Sequence, residues 1–189
     1  MKWLNKILGR AEKQVVQFQG KFLKIILSDG RWQWVTRNGC NGACVIVPIT
    51  RNNEFVLVEQ FRYPSNSMAI EFPAGLVADI DKTETARLSA ERELEEETGY
   101  EAEYMSDGTQ MYSSVGLTDE ETTVFVAYGC KKVSEGGGDE SENITVHLVP
   151  RDELHQFLNT QRSMGKAISS NIYYGLALIE DEIASGYLG

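Results

Sequence analysis

Seven glutamates and two aspartates fall within residues 71–100, EFPAGLVADIDKTETARLSAERELEEETGY. Carboxylates at this density could hold a hard divalent cation, because magnesium, calcium and manganese prefer oxygen ligands. They could equally form a solvated face, the usual fate of a charge-rich helix, so position must decide. Asp81 followed three residues later by Glu84 resembles a capping box, and Gly99 is a natural stop, which predicts a helix between them. Successive residues then advance by about 100°. Ala86, Ala90 and Leu94 share one stripe, the face expected to pack inward. Glu84, Glu91 and Glu95 are expected to point away from it. Glu93 and Glu97 lie within roughly 40° of each other, on the same side as the alanines. Two carboxylates turned towards the protein body repel and lose hydration unless something positive sits between them. A divalent cation is the simplest candidate.

The order Gly75, Glu84, then Arg92-Glu93-Leu94-Glu95-Glu96-Glu97-Thr98-Gly99-Tyr100 resembles the Nudix box, G-x5-E-x7-R-E-U-x-E-E-x-G-U with U bulky and aliphatic. The spacing from Glu84 to Arg92 and the R-E-L-E-E-E-T-G core both fit. Eight residues rather than five separate Gly75 from Glu84, read as an insertion in the loop before the helix, and Tyr100 replaces the final aliphatic residue.

The elements that must position this segment are legible on either side of it. At 189 residues, 42% hydrophobic and 24% charged, the chain suits one soluble domain spanning 1–189. No run of eighteen apolar residues is present, so no membrane span is expected. A net charge of -10 argues against nucleic-acid binding, and a polyanionic substrate would need metal to approach the acidic helix. Cys40, Cys44 and Cys130 show no metal-like pairing with His147 or His155. An odd cysteine count without a secretory signal points to the cytoplasm.

Trp3, Leu4, Ile7 and Leu8 occur at helical spacing between basic residues. They predict an N-terminal helix packed on the domain or on a second subunit, with a membrane-surface helix as the alternative. Residues 20–37 predict a hairpin turning at Ser28-Asp29-Gly30. Trp32 and Trp34 would point the same way from its second strand, into the core or onto a nucleotide base. Strands are predicted at 43–50, 55–61, 68–72, 104–112, 122–128 and 144–149, and helices at 151–161 and 167–184. Arg62, at a strand end near the acidic box, is read as a surface arginine or a phosphate partner. The segment VSEGGGDESEN, residues 133–143, is expected to be mobile, either as a plain surface loop or as a lid carrying a carboxylate. Strands flanking a central helix, with helices at the end, suggest a mixed α/β sandwich.

The resemblance implies more. LVEQFRYP followed by IEFPAGLV is similar to the ADP-ribose pyrophosphatase and nucleotide-sugar hydrolase branch of the Nudix family, over roughly residues 20–180. It implies a Nudix-type α/β/α sandwich with a mixed sheet and an N-terminal hairpin extension. The expected partner is a second copy of the chain, with residues 1–38 available to the dimer interface. The expected activity is metal-dependent hydrolysis of the diphosphate bond of a nucleotide sugar, with ADP-ribose giving AMP and ribose 5-phosphate. By matching position, Glu93, Glu96, Glu97 and the Ala74 carbonyl would hold Mg2+ or Mn2+, and Arg92 would orient the glutamates. Arg62 would meet the diphosphate, while Trp32 and Arg37 would hold the nucleoside. Glu140 or Glu142 would be the catalytic base. Val115 stands where the branch often has proline before the glycine of its substrate-facing loop. The competing expectations are another substrate such as a GDP-sugar, and a non-catalytic nucleotide-binding Nudix domain. A calcium-binding structural domain lacks EF-hand spacing.

Overall fold

A computed structural model of the chain describes residues 13–138 and 143–184. The expected N-terminal helix around Trp3–Leu8, and both Glu140 and Glu142, lie outside those residues. The chain first forms a three-stranded antiparallel sheet of β1 (Gln14–Gln19), β2 (Leu23–Ser28) and β3 (Trp32–Arg37). The predicted hairpin is β2–β3, with Leu23 opposite Arg37 and Ser28 opposite Trp32. The sequence suggested no strand over Gln14–Gln19, where β1 forms the edge of this sheet, and Val15, Val16 and Phe18 are residues that favour extended backbone.

The larger mixed sheet is built around β4 (Ala43–Thr50), β5 (Glu54–Arg62) and β11 (Glu121–Lys132). β4 is apolar along most of its length because both of its faces are covered, as expected for a central strand paired in parallel. Val45, Val47 and Ile49 face one cluster with Phe55, Leu57, Leu154, Leu158, Ile172 and Ile179. Cys44 and Ile46 face the other, with Val56, Ala90, Leu94 and Phe125. The first cluster takes in α2 (Leu154–Ser163) and α3 (Ser170–Ala184), and the second takes in α1 (Ala86–Thr98). The result is an α/β/α sandwich.

One predicted strand is interrupted and some short strands were not foreseen. The predicted strand 104–112 is two pieces, β9 (Tyr104–Met105) and β10 (Thr109–Tyr112), both antiparallel to β11. Ala167 and Ile168, expected in the last helix, form β13 in parallel with β6 (Ser67–Glu71), and the helix begins at Ser170. β12 (Thr145–Pro150) pairs with β5 and leads through a short 3-10 turn into α2. β8 (Tyr100–Glu101) follows α1 directly.

One step in the topology places the acidic helix. β4 and β5 meet at a single pair, Ile49 with Phe55. β6 continues from β5, while β7 (Ala74–Leu76) pairs with β4. Phe72 and Pro73 therefore carry the chain from one half of the sheet to the other. This crossing sets Ala74 and Gly75 against α1.

Candidate active site

Helix α1 begins four residues later than the capping-box reading required. Thr85 is the N-cap, and its hydroxyl accepts from the Leu88 amide. Asp81 closes a local turn, accepting from the Thr83 amide and hydroxyl at 2.9 and 2.8 Å. The eight-residue loop of residues 76–83 is folded down onto the body of the protein. Val77 and Ala78 are buried, and Lys82 Nζ donates to the carbonyls of Gly39, Ala78 and Asp79 at 2.5, 2.8 and 3.1 Å. At the other end, Gly99 adopts φ 76° and returns its amide to the Glu95 carbonyl, as its place in the sequence predicts.

The inward stripe is as expected. Ala90 and Leu94 are buried, and Ala86 packs against the same cluster. Glu97 lies on this side and is 2% exposed, with the Ala74 amide donating to its Oε2 at 3.0 Å. Glu93 approaches Gly75 so closely that a Cβ there would overlap its carboxyl group. Burial pushes the Glu93 carboxyl up to about 7, against the opposing pull of Arg92. Glu91 and Glu95 are exposed, as the helical period predicts.

Glu84 does not point away. Arg92 Nε donates to its Oε1 at 3.2 Å and Ser89 Oγ to its Oε2 at 2.8 Å. These contacts, Arg92 first, hold its carboxyl below the ordinary range. The reason is local: the loop before the helix folds back, so the helical wheel does not govern its side chain. Arg92 also reaches Glu96 at 2.7 Å, Glu93 at 2.9 Å and Asp79 at 3.7 Å. Burial opposes its charge, but Glu84, Glu93 and Glu96 together raise its pKa further. One guanidinium thus organises four carboxylates, and Glu84 and Asp79 complete a cluster of which Glu93 and Glu96 were foreseen.

Among the described residues, no three His, Cys, Asp or Glu side chains converge as a preformed cation cage. In this arrangement Arg92 holds Glu93 and Glu96. The donor chemistry nonetheless fits a hard divalent ion: oxygen-only ligands, two of them carboxylates drawn out of water on one helix face. Cys44 lies near these glutamates, but burial pushes its thiol up to about 12, which leaves it a packing residue.

The expected substrate residues gather at the β3 and β5 ends. Arg62 donates through Nη2 to Glu71 at 2.6 Å and through Nε to both Glu71 oxygens at 3.1 Å. Arg37 pairs with Glu120, whose carboxylate raises the arginine pKa. Arg62 is near enough to oppose that shift. The two arginines are therefore neighbours, each tied to a carboxylate that the sequence reading did not assign. Trp32 and Trp34 face the same way, as the strand period predicts. They border a cleft of about 520 Å3 with Tyr112, Val115 and Asp119. A pocket of about 200 Å3 containing Arg37 and Glu120 shares Asp119 with that cleft. A larger hollow of about 710 Å3 on the other side of α1 is lined by Arg87, Glu91, Tyr104 and Asp107 among others, and Glu93, Glu96 and Glu97 do not border it.

The glycine-rich segment is fastened as far as it is described. Gly137 and Gly138 donate their amides to the Glu97 and Glu96 carbonyls, each at 2.9 Å. A Cβ on Gly136 would overlap the backbone of Thr98. Gly136 permits close approach to the end of α1.

The sandwich and its inward-facing acidic helix define a class that comparison with known proteins identifies. A family profile for the NUDIX domain matches residues 41–169, and the chain belongs to the Nudix family. It is 39% identical over 122 residues to the methanol dehydrogenase activator of Bacillus methanolicus and 40% identical over 121 residues to the ADP-ribose pyrophosphatase of Bacillus subtilis. Each match covers 64% of this chain and 64% of the relative's length. The ADP-sugar pyrophosphatase of Mus musculus is 40% identical over 163 residues, covering 78% of this chain and 73% of that protein. A solved structure of an ADP compounds hydrolase superposes with a TM-score of 0.62 at 20% identity, over 79% of this chain and 82% of that one. That last likeness is one of fold.

Proposed function

We propose that this chain is a single Nudix hydrolase domain that cleaves the diphosphate bond of a nucleoside diphosphate sugar, with ADP-ribose the favoured substrate. The observation that carries the reading is the pair Glu93 and Glu97, turned inward from α1 against Ala74 and Gly75, with Arg92 bracing the surrounding carboxylates. The named activities of the Bacillus subtilis and Mus musculus relatives support the substrate class.

In this reading Glu93 and Glu97, with Glu96 and the Ala74 carbonyl, hold Mg2+ or Mn2+. When bound, the ion neutralises diphosphate charge and stabilises charge building at the attacked phosphorus. Arg92 sets the orientation of the glutamates without touching substrate. Arg62 and Arg37 meet the phosphates, exchanging part of their pairing with Glu71 and Glu120. Trp32 stacks on the base. Glu140 or Glu142 accepts the proton of the attacking water. The oxygen of that water bonds to one phosphorus as the bridging P–O bond breaks, giving AMP and ribose 5-phosphate from ADP-ribose.

The active form is proposed to be a homodimer. Val15, Val16, Phe18, Phe22, Leu23 and Ile25 are exposed on the N-terminal sheet, an apolar surface suited to a second copy. A cytoplasmic location is supported by all three cysteines being free thiols. The test is product identification on a panel of ADP-, GDP- and UDP-sugars with magnesium and with chelator. AMP and ribose 5-phosphate released only with metal support the reading; a preference for GDP-sugars, or no turnover of any, overturns it.

A further inference from the structure

We propose that Asp119 is a positioning residue that fixes Trp34 as a second aromatic wall of a nucleobase cleft. The inference rests on the nucleotide-sugar reading and concerns the cleft beside β3.

Along β3, alternate residues share a face. Trp32 and Trp34 both border the 520 Å3 cleft, with Tyr112 and Val115 across it. Trp32 is 59% exposed, with the Arg31 guanidinium 4.8 Å from its ring centre. Trp34 is held differently. Its Nε1 donates to Asp119 Oδ2 at 2.8 Å, and the same oxygen accepts from Thr36 Oγ1 at 2.8 Å. An indole has a single N–H, so this contact fixes the edge of the ring and with it the ring plane.

The loop that carries Asp119 is itself secured to β3. The Val35 amide donates to the Leu117 carbonyl at 2.8 Å, and Thr118 Oγ1 donates to the Val35 carbonyl at 2.9 Å. Arg37 pairs with Glu120. Thr118, Asp119 and Glu120 thus engage β3 in succession, with Asp119 reaching the residues on either side of Val35. A flat heteroaromatic ring entering such a cleft meets an indole already ordered, so less side-chain freedom is lost on binding. Aromatic walls recognise any nucleobase through its π face. Because Asp119 also borders the pocket containing Arg37, base and phosphate of one nucleotide can occupy adjoining spaces.

The test is calorimetric titration of the full-length protein with AMP and, as a probe without a base, inorganic pyrophosphate. Asp119→Ala and Trp34→Phe should each weaken AMP about tenfold, the scale of having to order one freed side chain on binding, and leave pyrophosphate within about twofold. Asp119→Asn, whose amide oxygen still accepts from the indole, should bind AMP within about twofold of wild type. The double variant Trp34→Phe/Asp119→Ala should bind no more weakly than Trp34→Phe alone, because the two changes remove one interaction. Wild-type AMP affinity in Asp119→Ala, equal loss of AMP and pyrophosphate, or failure of Asp119→Asn to rescue overturns the proposal. If Asp119→Ala proves unstable, Trp34→Phe and Asp119→Asn still decide it. A parallel assay of ADP-ribose hydrolysis by the wild type separates the two readings. Absence of turnover with the AMP pattern intact overturns the substrate assignment alone, and turnover without that pattern overturns the positioning role alone.

Discussion

Replacing Arg92 with methionine should show how much one guanidinium does for the acidic helix. Methionine keeps helix propensity and much of the aliphatic stem, so the loss is chiefly of charge and hydrogen bonds. Arg92 bridges Glu84 at 3.2 Å and Glu93 at 2.9 Å, and the side chains of both glutamates are mostly buried. Its contact with Glu96 is half-exposed and screened by solvent, so it adds little. Removing one partner of a buried pair costs about 3–5 kcal/mol. Glu93 already titrates near 7 and can take up a proton instead, which places the cost at about 3 kcal/mol. For a domain of this size, that lowers Tm by roughly 6–12 °C. The pH dependence has a definite sign. Arg92 holds the Glu84 carboxyl below its ordinary value. Such a group contributes stability that is fully present above the unfolded carboxylate pKa, about 4.3, and is lost as pH falls through the lower folded value. The gap between wild type and Arg92→Met should therefore be widest at neutral pH and close on acidification. Scanning calorimetry with chelator present, from pH 7 down to pH 3.5, measures it. A variant with wild-type Tm at neutral pH, or a gap that widens in acid, would refute the reasoning.

Three further perturbations follow from the same geometry. Gly75→Ala places a methyl group where the Glu93 carboxyl lies, so turnover should fall at least about tenfold while Tm drops by only a few degrees, read by kinetics and melting together. Glu59 accepts from Lys166 at 2.6 Å and His147 at 2.8 Å, linking β5, β12 and the turn after α2. Burial works against the Glu59 carboxylate, but these two partners outweigh it and lower its pKa. Lys166→Met should cost about 2–4 kcal/mol at neutral pH, and the deficit should shrink as pH falls through the carboxylate range, checked by denaturant unfolding at pH 7 and pH 4. Phe18→Lys on the exposed N-terminal sheet should convert a species of twice the 21.2 kDa chain mass into a monomer in sedimentation equilibrium; a wild-type monomer removes the dimer reading.

What the sequence made legible was what depends on local period. The apolar run of β4 gave its bounds because a strand covered on both faces has no polar positions to confuse them. Glu93 and Glu97 were placed inward by counting turns from Ala86, Ala90 and Leu94. Glu84 was misplaced because it precedes the helix, in a loop that folds back so that its carboxylate meets a side chain eight residues on. Asp119 and Glu120 drew no assignment from the sequence, since their partners lie more than eighty residues earlier on β3. Composition carries no record of the helix end that Gly137 and Gly138 close upon. The residues proposed for the cation face therefore lie mostly on one helix, while those proposed for the nucleotide cleft come from β3 and from a loop more than eighty residues later.

The central claim is that Glu97, buried on the inward face of α1, is part of a divalent-metal centre for hydrolysis. Its most direct test is ADP-ribose turnover by wild type and Glu97→Gln across a magnesium titration, with circular dichroism and Tm recorded on the same samples. Glutamine is near isosteric and leaves an oxygen for the Ala74 amide, so the fold should persist. Turnover should fall about a thousandfold, the scale of losing a stabiliser of transition-state charge, and the magnesium response should weaken. A well-folded Glu97→Gln protein with near-normal, magnesium-responsive activity would contradict the claim.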